Sequence, residues 1–226
     1  ARVGEGGWYK FIKTDAAANA VTLDGSGAET INGAATEARI DAQYDFMEKD
    51  GSLYIKGAEE IRPALRKLTD IASQFKLKVV NTADWHTLIS KEISDKPDFV
   101  KTFPVHCMIA SLGADFINET NPTQFFRDNC FIVDNTQKGI VERSGGVFER
   151  ARNIIVYKDA FDVFKGNSNV DDVLDWLKPN VIVVYGVATN VCVDYAVRGL
   201  RDRHYEVIVV EDAIKELPGA DVVGII

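Results

Sequence analysis

Three residues that could form a nucleophilic site follow predicted strands far apart in the sequence: Asp41, Lys158 and Cys192. A thiolate nucleophile needs a charge that stabilises it and a group that accepts and returns its proton. A lysine with an aspartate can supply both. Each residue alone also has an ordinary explanation, because aspartate often forms turns, lysine is usually a solvated surface charge and cysteine is often buried. The combination indicates nucleophilic catalysis if the fold brings the three side chains together.

Cys192 follows one of these predicted strands by a few residues. The apolar run 181–185, which ends at Gly186, has the pattern of a strand buried on both faces. Residues 188–190 then offer an N-cap for a helix that runs through Leu200 and carries the cysteine in its first turn. A helix N-terminus has unpaired N–H groups and a partial positive charge. It therefore favours a thiolate over a thiol and can bind an oxyanion.

A second group of polar residues has the composition of a metal site. Asp84 and His86 lie two apart after a predicted strand, where extended backbone can project both side chains the same way. His106 lies in the long irregular stretch 87–112, and loops of this length in compact domains are usually functional. A carboxylate with two imidazoles suits Zn, Fe or Mn. The alternative is that these histidines only form hydrogen bonds with the backbone.

Strands and helices alternate along most of the chain. Strands are predicted over 38–40, 78–82, 153–157, 181–185 and 206–210, and helices over 58–75, 170–177 and the segment around Cys192. This alternation predicts an α/β fold with a mostly parallel sheet flanked by helices on both faces. Ligands of such sheets bind beyond the carboxyl ends of the strands. Because Asp41, Asp84, Lys158 and Cys192 all follow strands, we expect them to meet in one cleft.

Length and charge limit the domain organisation and the class of partner. We expect 226 residues to form an N-terminal extension over 1–33 and a single domain over 34–226. The net charge is −8 and no dense Lys/Arg cluster is present, which argues against a nucleic-acid partner. No apolar stretch has the length of a membrane span, and the N-terminus lacks the apolar core of a signal peptide. We therefore expect a cytoplasmic protein without a membrane partner.

The remaining cysteines and the third histidine are not expected to take part in chemistry. Three cysteines are an odd number without zinc-knuckle spacing, which favours free thiols in a reducing compartment. Cys107 and Cys130 are predicted to be packed thiols rather than nucleophiles. His204 lies in a charged segment and is predicted to be exposed.

Five motifs, in the expected order, resemble those of the isochorismatase-like cysteine hydrolase superfamily, and most closely those of its nicotinamidases. The segment IDAQYDF at 40–46 resembles the family's DxQxDF opening, and YK at 157–158 stands where the family places its catalytic lysine. The segments ADWH at 83–86 and FPVHC at 103–107 resemble the family's two metal-site motifs, ADWH and WPxHC. The segment GVATNVCV at 186–193 resembles the nucleophile motif. The match covers roughly residues 40–212.

The resemblance implies a Rossmann-type three-layer fold and a role for each catalytic residue. Cys192 would be the nucleophile, Asp41 the group that accepts and returns its proton, and Lys158 the cation that lowers the pKa of the thiol. A cis peptide between Val187 and Ala188 would turn the N–H groups of Ala188 and Cys192 toward an oxyanion.

The resemblance also implies a metal and a substrate. A divalent metal, usually zinc, would be held by Asp84, His86 and His106 and would orient a ring nitrogen of the substrate. Phe46 and Phe103 would contact that substrate, a small-molecule amide such as nicotinamide, in a homo-oligomeric enzyme. The alternatives are another small amide or a non-catalytic binding subunit with this fold. The segment 107–111 departs from the family's CVQGT, and the loop after His86 lacks a further histidine, so a fourth ligand, Ser90 or Glu92, stays open.

Overall fold

The computed structural model describes residues 9–12, 35–125, 130–135 and 138–219. Within these ranges seven strands form one sheet in which every pairing is parallel. The strands are β1 Tyr9–Ile12, β2 Ala35–Ile40, β3 Lys78–Asp84, β4 Cys130–Val133, β5 Asn153–Lys158, β6 Val181–Val187 and β7 Glu206–Lys215. Their order across the sheet is β1, β7, β6, β2, β3, β5, β4. The predicted α/β fold with a parallel sheet is confirmed.

Helices flank the sheet, and most of them are short. In the described ranges they are α1 Tyr44–Met47, α2 Arg62–Phe75, α3 Pro122–Phe125, α4 Val147–Arg150, α5 Val163–Gly166, α6 Val170–Leu177 and α7 Asp194–Asp202. The prediction of a helix over 170–177 has the same bounds as α6. The helix predicted over 58–75 begins as a 3-10 turn, Ala58–Ile61, before α2. Pro63 lies in the first turn of α2, where its missing N–H leaves no hydrogen bond unmade.

A buried polar cluster lies between the sheet and α2. The Arg39 guanidinium donates to Asn81 Oδ1 at 2.8 Å and to Thr69 Oγ1 of α2 at 2.9 Å. The Tyr185 hydroxyl donates to Glu37 Oε2 at 2.5 Å. Burial raises the pKa of Glu37 to about 7, although the hydrogen bond from Tyr185 and the charge of Arg39 act to lower it. This cluster therefore contains a carboxyl that titrates near neutral pH.

The strand order brings four strand ends side by side. β2 lies between β6 and β3, and β5 is the next strand beyond β3. Within the sheet, β3 lies on one side of β2, whereas β6 and β7 lie on the other side of β2. Such a reversal in strand order opens a crevice at the carboxyl ends of a parallel sheet. The ends of β6, β2, β3 and β5 are therefore neighbours at one edge, as predicted.

The predicted division of the chain into an extension and a domain falls largely outside the described residues. Of the proposed extension over 1–33, only Tyr9–Ile12 is described, and it pairs with β7 at one edge of the sheet. No helix among the described residues is both long enough and apolar enough to span a membrane.

Candidate active site

The structure brings Asp41, Lys158 and Cys192 together at the carboxyl edge of the sheet. Lys158 Nζ lies 2.9 Å from Asp41 Oδ2 and 3.7 Å from Cys192 Sγ. All three side chains are buried, with Cys192 the most exposed at 7%. Lys158 is the last residue of β5, Asp41 follows β2, and Cys192 follows β6, so each is positioned by a different strand. This arrangement has the components of a nucleophile, a proton carrier and a cation.

One oxygen of Asp41 is fixed by a neighbouring strand. Thr82 Oγ1, on β3, donates to Asp41 Oδ1 at 2.6 Å and accepts from the Asp41 backbone N–H at 3.2 Å. Oδ2 is thereby left facing Lys158. Burial raises the pKa of Asp41, and the nearby charge of Asp84 adds to this, while Lys158 opposes it. A raised pKa suits a carboxyl that must take up a proton and release it again.

Cys192 lies in a π-helical turn, Thr189–Val193, between β6 and α7. The predicted helix is therefore present, but its first turn is wider than that of an α-helix. Burial raises the pKa of the Cys192 thiol well above its ordinary value, and the charges of Asp41 and Asp84 add to this. Lys158 acts to lower the pKa, as the resemblance implies, but burial and the two carboxylates outweigh it. The net effect of these surroundings is to favour the thiol form of Cys192 over the thiolate.

The chain turns sharply just before Cys192. The peptide bond between Val187 and Ala188 is cis, and Gly186 has φ 122°. A Cβ on Gly186 would lie 2.0 Å from the carbonyl oxygen of Ile40 on β2, so only glycine fits at this close approach. Ala188 and Cys192 both line the cleft described below, on the segment that the resemblance associates with an oxyanion site.

Asp84 is shared between the triad and a group of histidines. Its Oδ1 accepts a hydrogen bond from Lys158 Nζ. Its Oδ2 lies 3.8 Å from His86 Nε2 and 3.7 Å from His106 Nε2. Burial acts to raise the pKa of Asp84, but Lys158 and the two histidines hold it well below its usual range. Asp84 is therefore an anionic side chain facing two imidazoles.

The donor atoms of Asp84, His86 and His106 fit a metal ion. Both Nδ1 atoms already have partners, Asp159 Oδ1 at 3.1 Å for His86 and the Pro104 carbonyl at 2.7 Å for His106. His86 Nε2 is buried and has no hydrogen-bond partner among the described residues. Two ligand atoms each about 2.1 Å from a zinc ion can lie at most about 4.2 Å apart, and the separations of Asp84 Oδ2 from the two histidine nitrogens are shorter. The ligand atoms of all three residues lie within 4.8 Å of one another. The three predicted ligands therefore form a set that can bind a metal.

The structure distinguishes the two residues considered for a fourth ligand. Glu92 Oε2 lies 3.9 Å from His86 Nε2, and Oε1 accepts from the Phe161 N–H at 2.6 Å. Ser90 Oγ instead accepts from the Thr87 N–H at 2.9 Å within the loop. Burial raises the pKa of Glu92 to about 7, and Asp84 adds to this shift. Glu92 is therefore the side chain oriented toward the histidines.

A largely apolar cleft opens beside both groups. Its empty space is about 330 Å³, open solvent included. The polar groups Asp84, Glu92, His106 and Cys192 line it together with Phe46, Leu53, Ile55, Phe103, Phe161, Ala188, Val191 and Leu217. Phe46 and Phe103, which are expected to contact the substrate, therefore both line the cleft. Leu53, Ile55, Phe161 and Leu217 were not predicted, because they come from loops that carry no recognisable pattern.

Gln43 fixes the backbone of Asp84. Its Nε2 donates to the carbonyls of Asp84 and Ala114, both at 2.9 Å. Its Oε1 accepts from the Asp84 N–H at 2.7 Å. The side chain is fully buried. Gln43 lies inside a sequence motif, but its role could not be predicted, because hydrogen bonding to a distant backbone leaves no local signal.

Asp45 performs a similar task for the loop that carries His106. Its Oδ2 accepts from the Cys107 N–H at 2.7 Å, and Oδ1 accepts from the Ser52 N–H at 2.8 Å. Cys107 has φ 43°, and a Cβ on Gly113 would lie 2.0 Å from Asp45 Oδ2. The motif residue Asp45 therefore anchors the loop beside His106.

Cys107, Cys130 and His204, for which no chemical role is predicted, do not line the cleft. Cys107 is buried and its Sγ lies 3.6 Å from the Gly113 carbonyl, while Cys130 is half-buried in β4. No disulfide joins any two of Cys107, Cys130 and Cys192. His204 is exposed after α7.

Comparison with known proteins gives a consistent assignment. A nicotinamidase/pyrazinamidase of Mycobacterium tuberculosis (strain ATCC 25618 / H37Rv) is 28% identical over 158 residues, which are 68% of this chain and 72% of that protein. The crystal structure of a Pyrococcus horikoshii pyrazinamidase in complex with zinc has a TM-score of 0.62 at 21% identity, covering 84% of this chain and 90% of that one. A Bacillus subtilis nicotinamidase gives 0.61 at 16% identity, covering 82% and 88%. These two structures establish the fold.

The family itself is established by a match over most of the sequence. The isochorismatase domain matches residues 39–223, a range that contains Asp41, Asp84, His106, Lys158 and Cys192. This chain therefore belongs to the isochorismatase domain family.

Proposed function

We propose that this protein is a metal-containing cysteine amidohydrolase that converts nicotinamide and water to nicotinate and ammonia. That the chain is an amide hydrolase follows from its family and its nicotinamidase/pyrazinamidase relative. The choice of nicotinamide is the part that we propose. One observation carries it: Cys192 and two of the proposed ligands, Asp84 and His106, line the same largely apolar cleft, so that a ring bound there would lie between nucleophile and metal.

The first half of the reaction forms a thioester. Asp41 accepts the proton of the Cys192 thiol, and the sulfur attacks the carboxamide carbon. Lys158 Nζ, 3.7 Å from the sulfur, stabilises the thiolate as it forms. The N–H groups of Ala188 and Cys192 hold the tetrahedral oxyanion, where one such donor is typically worth about 3 kcal/mol of barrier. Asp41 returns the proton to the leaving nitrogen, and ammonia departs.

The second half hydrolyses the thioester. Asp41, again ionised, takes a proton from a water molecule that attacks the acyl carbon, and the proton then returns to the Cys192 sulfur. Nicotinate leaves with one oxygen from water. The raised pKa values of Asp41 and Cys192 support this cycle, because neither group is locked in its ionised form.

The metal is proposed to be zinc, with iron or manganese as alternatives. Asp84, His86 and His106 would hold it, and the zinc complex of the Pyrococcus horikoshii relative supports the choice. When bound, it supplies a Lewis acid at the cleft that can coordinate a ring nitrogen of the substrate. The side chains of Phe46 and Phe103 pack near the His106 ring, with ring centroids 5.4 and 6.2 Å away, and would enclose the substrate ring.

Ammonia release from a panel of amides tests the function. Wild-type protein should hydrolyse nicotinamide and pyrazinamide faster than benzamide, which lacks the ring nitrogen, and faster than aliphatic amides. Cys192→Ala should lose this activity and Cys130→Ala should keep it, while chelation should reduce it and zinc should restore it. A clear preference for a non-aromatic amide would instead favour a related hydrolase of another small amide. Absence of turnover with every amide would favour a non-catalytic binding subunit.

Assembly and location stay predictions drawn from the sequence. We propose a cytoplasmic homo-oligomer that binds small molecules rather than nucleic acid or membranes. Exposed apolar side chains in the 87–112 loop support a contact between copies, among them Leu88 at 79% and Ile89 at 92% exposure. Light scattering of the purified wild-type protein and of a Leu88→Ser, Ile89→Ser variant measures the mass directly.

A further inference from the structure

We propose that Asp159 is a positioning residue that holds His86 in the orientation and tautomer required of a metal ligand. Asp159 Oδ1 lies 3.1 Å from His86 Nδ1. The inference rests on the proposed metal site and adds to it a residue that does not touch the metal. It concerns the imidazole ring of His86, which is fully buried, and a carboxylate whose side chain is half exposed at 51%.

The position of Asp159 follows from its place in the chain. It comes directly after Lys158, the last residue of β5, and its N–H donates to the Gly166 carbonyl at 3.3 Å. The Lys158 carbonyl accepts from the Trp85 N–H at 2.9 Å, which ties this strand end to the one that carries His86. The end of β5 therefore supplies the triad lysine and, one residue later, the partner of a metal ligand.

The contact determines which nitrogen of His86 carries the proton. An ionised carboxylate only accepts hydrogen bonds, so a neutral imidazole beside it must carry its proton on Nδ1. Nε2 is then an unprotonated lone pair. This atom is buried, has no hydrogen-bond partner among the residues that the structure describes, and lies 3.8 Å from Asp84 Oδ2. Because Asp159 holds the proton on Nδ1, the buried Nε2 atom of His86 keeps a lone pair that a metal ion can accept.

His106 is oriented in a different way. Its Nδ1 lies 2.7 Å from the carbonyl of Pro104, two residues earlier in the same loop. A backbone carbonyl fixes the ring but adds no negative charge, whereas a carboxylate also increases the basicity of the imidazole. The two histidines are therefore unequal ligands, and only the partner of His86 can be removed by a side-chain substitution.

Zinc affinity of the metal-free protein tests the proposal without relying on activity. Competition with a chromophoric chelator gives the Kd for zinc of wild type, Asp159→Ala and Asp159→Asn. Loss of a partner of this kind typically weakens metal binding by about 10- to 100-fold, and we expect this for Asp159→Ala. Asp159→Asn keeps an acceptor oxygen and should bind more tightly than Asp159→Ala. Asp95→Ala removes the same charge from an exposed position in the 87–112 loop and should bind as wild type does.

A second measurement separates orientation from a general loss of structure. The visible spectrum of the cobalt-loaded protein should change in Asp159→Ala, while the denaturant midpoint of the metal-free variant should stay at the wild-type value. The proposal is overturned if Asp159→Ala binds zinc within about twofold of wild type, or if wild type binds none. If zinc binding weakens as expected but no amide is hydrolysed, the positioning role stands and nicotinamidase function fails.

Discussion

Asp84 and Lys158 lie side by side in register at the ends of β3 and β5, and Lys158 Nζ donates to Asp84 Oδ1. The other oxygen of Asp84 faces His86 and His106. One carboxylate therefore joins the candidate triad to the candidate metal site. Substitution of Asp84 should therefore damage both the triad and the metal site. Substitution of Lys158 should damage mainly the triad, and substitution of His86 mainly the metal site.

Replacing Lys158 by methionine should destabilise the protein as well as inactivate it. The ammonium is fully buried and compensates two buried carboxylates, Asp41 and Asp84. Removing one partner of a buried ion pair typically costs about 3–5 kcal/mol. We expect a loss of this size in the free energy of unfolding, measured by urea denaturation.

The matched control for this variant is Lys165→Met. Lys165 pairs with Asp162 at 3.0 Å, but its side chain is 76% exposed. Exposed pairs contribute little to stability, so this variant should keep both the denaturation midpoint and the ammonia release of wild type. Equal stability of the two variants would contradict the role assigned to the buried lysine.

Gln43→Ala should lower stability and weaken metal binding together. It leaves the buried N–H and carbonyl of Asp84 without their partners, and an unsatisfied buried group costs about 1–3 kcal/mol. The backbone that carries a metal ligand would also be released. Denaturation and zinc titration measure the two effects. Gln74→Ala, at an exposed position of α2, should change neither, and a Gln43→Ala protein indistinguishable from it would rule out the positioning role.

Stability should depend on pH through Glu37. Its pKa is about 7 in the folded protein against an ordinary value of 4.5. Between pH 4.5 and 7, the Glu37 carboxyl is protonated in the folded state but ionised in the unfolded state. The contribution of Glu37 to the free energy of unfolding is therefore complete below pH 4.5 and is lost as the pH rises toward 7. The expected loss is about 3 kcal/mol, because one pKa unit corresponds to about 1.4 kcal/mol.

Glu37→Gln tests this dependence, because glutamine keeps an acceptor for the Tyr185 hydroxyl and does not titrate. The free energy of unfolding of wild type relative to Glu37→Gln should fall between pH 4.5 and 7.5. Glu206→Gln, at an exposed position of β7, should follow wild type at every pH. A constant difference between wild type and Glu37→Gln would show that Glu37 is ionised throughout.

Much of the fold could be predicted because local patterns agreed with tertiary packing. The apolar runs of β3, β5 and β6 are long enough to be recognised, and α6 has Asp171 and Asp172 in its first turn. The extension of β7 to Lys215 could not be predicted from pattern, since a register shift between Val184 and Gly186 lets its polar end pair with β6.

The candidate site was predictable where a strand end carries the residue and unpredictable where a contact crosses the fold. Asp41, Asp84, Lys158 and Cys192 follow strands and converge for that reason. The contacts of Gln43 with Asp84 and of Asp159 with His86 span 41 and 73 positions, and no spacing reveals them. The raised pKa of Cys192 was also missed, because burial is a property of the packed chain and not of the segment.

The most direct test of Cys192 as the nucleophile is the partitioning of the acyl group between water and added hydroxylamine. A thioester common to all substrates must give the same ratio of nicotinohydroxamate to nicotinate whether the enzyme is supplied with nicotinamide or with methyl nicotinate. After subtraction of the enzyme-free reaction, we predict equal ratios for wild type and neither product from Cys192→Ala. A ratio that changes with the leaving group, or hydroxamate formation by Cys192→Ala above the enzyme-free rate, would contradict the account.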